Sequence, residues 1–240
     1  MIAKLPLLAS LAILAFPLSS AAQMTDLGRD KVGNFNGGYA LAPSNSEQIK
    51  GSPFLLPYWS PATLQLAADG AATPATLKYD VYRQELRVKR PQGDSIIVPL
   101  NKVKDFSLTS NGAARRFVCY SAATLPPAAG GGCAEVLADG AHAQLLKFVR
   151  KDIVKQAGES SSYASASSIN VLETQTSYYM RWADGHFTPL RLKRASLEQA
   201  LVGQPAALAA LKTRKGSLTS EADLAAAVAA IDPLLTGAAR

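Results

Sequence analysis

Leu77-Lys78-Tyr79-Asp80-Val81-Tyr82 sets Leu77, Tyr79 and Val81 in alternation with Lys78, Asp80 and Tyr82, and Leu86-Arg87-Val88-Lys89 repeats the pattern. A period of two turns successive side chains to opposite faces of a strand, which a helix cannot do. Ile96-Ile97-Val98 and Phe106-Ser107-Leu108 follow at short spacing, separated by turn residues such as Gln92-Gly93-Asp94. Dense short strands with polar punctuation predict an antiparallel meander, packed on one face and wet on the other.

Working outward, one tripeptide recurs between strand-like runs: Ala68-Asp69-Gly70, Ala138-Asp139-Gly140 and Ala183-Asp184-Gly185. Asp-Gly suits a type I′ hairpin turn, whose two central residues both need positive φ. Calcium ligation by Asp69, Asp139 and Asp184 is the weaker reading, because calcium loops cluster several oxygens at close intervals and each Asp here stands alone.

After Arg191 the pattern becomes helical. Ser196 is placed to cap a helix carrying Leu197 and Leu201 and stopped near Gly203. Pro205 suits a first helical position, followed by Leu208 and Leu211 and ended by Gly216. Ser220-Glu221-Ala222-Asp223 resembles a capping box, and Leu224, Val228 and Ile231 then form an apolar stripe. The fold class is therefore α+β: an antiparallel hairpin sheet, sandwich- or barrel-like, over 51–192, then short helices over 193–240 packed on it. Polar, serine-rich sequence near 156–168 predicts a flexible surface loop, and the turn-rich 23–50 a flexible arm.

The chain opens with Lys4, an apolar run from Leu5 to Leu18, and the small residues Ser19-Ser20-Ala21-Ala22. That order is an export signal over 1–22, with cleavage between Ala22 and Gln23. The apolar run falls short of the roughly 20 residues that span a bilayer, and no later segment offers a transmembrane stretch. Removing it leaves 218 of the 240 residues, enough for one domain with its own core. The expected location is periplasmic or secreted.

The net charge is +7. Its basic residues are dispersed: Arg87, Lys89 and Arg90; Arg115 and Arg116; Arg191, Lys193 and Arg194; Lys212, Arg214 and Lys215. Solvated faces and helix ends account for these better than nucleic-acid binding, for which no motif is present. Cys119 and Cys133 border a loop containing Pro126-Pro127 and Gly130-Gly131-Gly132. In an oxidising compartment they are expected to form a disulfide across adjacent strands, the alternative being two buried thiols.

With two histidines, His142 and His186, and two cysteines, the chain offers no metal-binding pattern, and both histidines read as exposed hairpin residues. No acylation or nucleophile-elbow motif is present, and no cofactor is implied. Asp80, Glu85, Asp105, Glu135 and Asp184 are scattered carboxylates that only the fold can pair. Tyr178, Tyr179, Trp182 and Phe187 gather around the third hairpin, where core packing explains them more simply than a sugar platform.

Gly51-Ser52-Pro53-Phe54-Leu55, Leu77-Lys78-Tyr79-Asp80-Val81-Tyr82, Glu135-Val136-Leu137-Ala138-Asp139-Gly140 with Leu145-Leu146-Lys147, and Tyr178-Tyr179 with Asp184-Gly185 also occur in a characteristic order. In this the chain resembles an uncharacterised family of exported, signal-peptide-bearing bacterial proteins with no assigned function. The similarity spans roughly Gly51 to Leu235 and excludes the cysteine pair. It implies no catalytic residue. The expected function is a non-catalytic envelope or extracellular module, binding or structural, whose partner is a cell-envelope protein or an anionic polysaccharide. The competing expectations are a hydrolase with an unrecognised carboxylate pair and a binder of anionic cell-surface polymers.

Overall fold

A computed structural model describes residues 49–236, except 69, 127, 128, 131 and 158–167. The strands are β1 (Ile49–Lys50), β2 (Ser60–Leu66), β3 (Thr73–Asp80), β4 (Glu85–Lys89), β5 (Ser95–Pro99), β6 (Val103–Ser110), β7 (Ala113–Cys119), β8 (Cys133–Asp139), β9 (Ala143–Ala157), β10 (Ser168–Trp182) and β11 (Phe187–Leu190). The helices α1 (Arg194–Ala200), α2 (Pro205–Thr213) and α3 (Glu221–Ile231) follow, then a 3-10 turn at Asp232–Leu234. All 11 strands belong to one sheet, ordered β1-β10-β9-β8-β7-β6-β2-β3-β4-β5, with β11 beside β10. Every ladder is antiparallel except β1 on β10. The fold is α+β and dominated by its sheet. No ladder joins β5 to β1 or β11 among the described residues.

Alternation decides which side chains go inward. Leu77 and Tyr79 of β3, Leu86 and Val88 of β4, Phe106 and Leu108 of β6 and Phe117 of β7 are buried. Phe106 and Phe117 stack at 4.8 Å, and Tyr79 meets them edge-on at 5.5 and 6.1 Å. The sheet curls over this face. Lys151 of β9 donates its N–H to Val81 O at 3.2 Å and its Nζ to the carbonyls of Ser52 and Phe54. Fully buried Asp80 closes the β3–β4 turn by accepting the N–H groups of Tyr82 and Arg83.

The helices cover the β9–β10 end of the sheet. Ala143, Leu145, Met180, Trp182 and Leu190 pack against Leu197, Leu201, Ala207, Leu211, Leu224, Val228 and Ile231. Pro205 opens α2, and Ser220 caps α3 by accepting the Asp223 N–H, as their positions predict. The cap expected at Ser196 is a correction: α1 starts at Arg194 with Lys193 as N-cap, and the Ser196 hydroxyl accepts the Arg191 N–H instead. Arg194 explains the earlier start, for its guanidinium donates to Leu211 O, Arg214 O and Gly216 O and so ties α1 to the end of α2.

Two expected boundaries also move. Ile49 and Lys50, assigned to the N-terminal arm, pair with Asn170 and Val171. β9 extends to Ala157 and β10 begins at Ser168, so strand occupies both ends of the expected loop. The expected signal, its Ala22–Gln23 cleavage site and the arm up to residue 48 lie outside the described residues.

Candidate functional site

Cys119 and Cys133 stand directly opposite on β7 and β8 and form a disulfide, with Cα atoms 3.9 Å apart. The bridge closes the base of the loop that leads from Tyr120 to Gly132, and the Tyr120 N–H donates to Gly132 O. This loop folds over the face of the sheet opposite the helices. There Leu125 and Ala129 pack with Tyr120, Ala134, Leu146, Phe148, Tyr179 and Phe187. Between the loop and the β10–β11 hairpin lies an open cleft of about 260 Å3, lined by Thr124, Leu125, Pro126, Gly185, His186 and Phe187.

Phe187 links this cleft to an aromatic cluster. Its ring lies 5.5 Å from Tyr120 and 6.3 Å from Tyr179, both edge-on. The Arg181 guanidinium stands 5.7 Å over the Tyr120 ring. The Tyr120 hydroxyl is enclosed and has no hydrogen-bond partner among the described residues. Burial pushes its pKa up, against the opposing charge of Arg181. Of the four aromatics at the third hairpin, Trp182 and Tyr179 are core residues and Tyr178 joins a polar network. Phe187 alone of them lines the cleft.

The Asp-Gly motifs occupy different places from those a type I′ turn requires. Asp139 ends β8 and pairs with Gln144, and neither Asp139 nor Gly140 has positive φ. The bend is held by Asp232 instead, whose buried carboxylate accepts the N–H groups of Ala141, His142 and Ala143 at 2.8, 2.9 and 2.7 Å. At the third motif only Gly185 has positive φ, at 89°. Asp184 accepts the His186 N–H, and Trp182 and His186 close the hairpin through their backbones. Gly70 lies between β2 and β3, and Asp69 is outside the described residues.

Asp80, Glu135, Asp184 and Glu221 have structural partners. Glu135 accepts from Nε and Nη2 of Arg115, each at 2.7 Å. Its cross-strand neighbour Lys147 turns to Glu221 of α3 at 2.6 Å, and the Tyr178 hydroxyl donates to the same Glu221 oxygen at 2.8 Å. Burial alone would raise the Glu221 pKa, but the hydrogen bonds from Lys147 and Tyr178 prevail and hold it below its ordinary value. Asp80 belongs to its turn and Asp184 to its hairpin, while Asp105 of β6 stands in register with Gln65 of β2. This network joining β7, β8, β9, β10 and α3 was not visible in sequence, since its members are brought together only by strand register.

No family model, curated protein or solved structure matches the chain. Among the described residues, no group of three or more His, Cys, Asp or Glu side chains is placed to hold a metal ion. No helix among them is long and apolar enough to cross a membrane.

Proposed function

We propose that this chain is an exported, non-catalytic binding module that holds a sugar ring of an envelope or extracellular polysaccharide in the cleft between the disulfide-closed loop and the β10–β11 hairpin. The observation that carries the reading is the lining of the cleft, where the Phe187 ring, Leu125 and Pro126 form an apolar wall beside the polar side chains of Thr124 and His186. A pyranose presents an apolar C–H face and a rim of hydroxyls. Leu125, Pro126 and Phe187 suit the first, and Thr124 and His186 suit the second. At about 260 Å3 the cleft is a little smaller than the roughly 300 Å3 at which pockets for small molecules begin, so it takes one ring rather than a long segment. A hydrolase reading is less well supported, because Glu135 and Glu221 are each neutralised by an internal cation.

Export rests on the opening Met1–Ala22 pattern and agrees with the disulfide. The test has two arms. NMR titration with the N-acetylglucosamine trimer should shift the Thr124, His186 and Phe187 signals, and Phe187→Ala should abolish the shifts. Release of shorter products by the protein would overturn the non-catalytic reading. Mass analysis of the fractionated protein should find Gln23 at its N-terminus, and a chain retaining Met1 in the cytoplasm would refute export.

A further inference from the structure

A second strip on the sheet surface is built differently. The register of β3 and β4 sets Lys78 directly opposite Arg87, on the face turned away from buried Leu77, Tyr79, Leu86 and Val88. Like charges so placed repel one another. Both cations stand over one ring: Lys78 Nζ is 4.7 Å and the Arg87 guanidinium 5.3 Å from the Phe54 centroid. Lys78 is also 5.6 Å from the Trp59 ring. The aromatic faces attract cations but supply no counter-charge. Neither Lys78 nor Arg87 joins an ion pair among the described residues, whereas the basic residues Arg90, Arg115, Arg116 and Lys147 all do.

Hydrogen bonding in the strip is also incomplete. Among the described residues Arg87 Nε is enclosed without an acceptor, and Glu85, two residues earlier on the same face of β4, has an enclosed Oε2 without a donor. Proteins normally satisfy such atoms with a partner, so orphans beside two unpaired cations point to a partner that is not part of the chain.

We propose that Phe54, Trp59, Lys78 and Arg87, with Glu85, form a binding site for a carboxylated sugar of an anionic polysaccharide. A carboxylate placed between the ammonium and the guanidinium relieves their repulsion with charge-assisted hydrogen bonds. The sugar's C–H face lies against Phe54 and Trp59, and Glu85 accepts from a ring hydroxyl. A carboxylated sugar offers all three contacts, while inorganic sulfate offers only the first. This site shares no residue with the cleft and does not depend on it.

The probe is polygalacturonate, titrated calorimetrically against the full chain. Binding should weaken as salt rises. Lys78→Ala and Arg87→Gln should each weaken it about tenfold, the loss expected of one charge-assisted contact. Phe54→Leu keeps the charge and should also weaken it. Lys212→Ala, which removes an exposed charge from α2, should leave binding unchanged, and so should Phe187→Ala, which separates this site from the cleft. Circular dichroism and retention of the disulfide check that each variant is folded. Equal binding to neutral dextran, tighter binding to DNA, or a loss in Lys212→Ala matching that in Lys78→Ala would overturn the proposal.

Discussion

The carboxylate of Asp232 occupies the space that a β-carbon on Gly140 would fill. Two residues far apart in sequence are thereby fitted to each other at the bend between β8 and β9. Gly140 is needed there for close approach, since its φ is not positive. Asp232 supplies three backbone amides, the Ala143 one buried and the other two partly so, with an acceptor.

Removing that acceptor in Asp232→Ala should lower stability by about 1–3 kcal/mol, the range for taking a charged acceptor from backbone amides of which one is buried. Gly140→Ala should be similarly costly through collision with the carboxylate. The double variant should cost less than the two losses together, because removing Asp232 makes room for the new methyl group. Urea unfolding of the four proteins measures this. Strict additivity would show that the two residues do not act through one contact.

Replacing Cys119 and Cys133 with serine should cost about 3 kcal/mol, as expected when a ring of roughly this length is opened. Guanidinium unfolding reads the change, and resonances of Leu125 and Phe187 should broaden as the loop loosens. An unaltered midpoint would mean that the bridge does not constrain the unfolded chain.

Stability should depend on pH through Glu221. Its folded-state pKa lies below the ordinary carboxylate value. The contribution is therefore present at pH above the unfolded value, about 4.3, and is lost as pH falls through the lower folded one. Unfolding curves of the wild type and Glu221→Gln should differ near neutrality and converge in acid. A gap that stays constant down to about pH 2 would place the effect elsewhere.

Leu224 of α3 is fully buried against the sheet. Leu224→Ala should cost about 2–5 kcal/mol, the range for cavities left by large core side chains. A thermal scan showing a loss well below 1 kcal/mol would mean that α3 is only loosely docked.

Much of the architecture could be read from local pattern. Alternation at Leu77, Tyr79 and Val81 gave the sheet, and Ser220 and Pro205 marked helix starts because capping is decided within one turn. What escaped was long-range. The type I′ expectation assumed that the β8–β9 bend must be stabilised by its own residues, whereas Asp232 does this from 91 positions beyond Ala141. Ser196 looked like a cap because nothing nearby showed Arg194 anchored to carbonyls at the end of α2. The Arg87 and Lys78 pairing was equally hidden, since neither strand reveals which positions its neighbour will present. The disulfide was legible because two cysteines leave one intramolecular partner each.

The reach of Asp232 also imposes an order of events. As the polypeptide emerges from its N-terminus, hairpins such as β3–β4 can close with what has already appeared. The corner at 141–143 cannot: its amides must stay with water until a carboxylate made some ninety positions later arrives. Shortening the chain ahead of that residue should therefore leave a sheet with one unlatched corner, and proteolysis there would report how late the final closure comes.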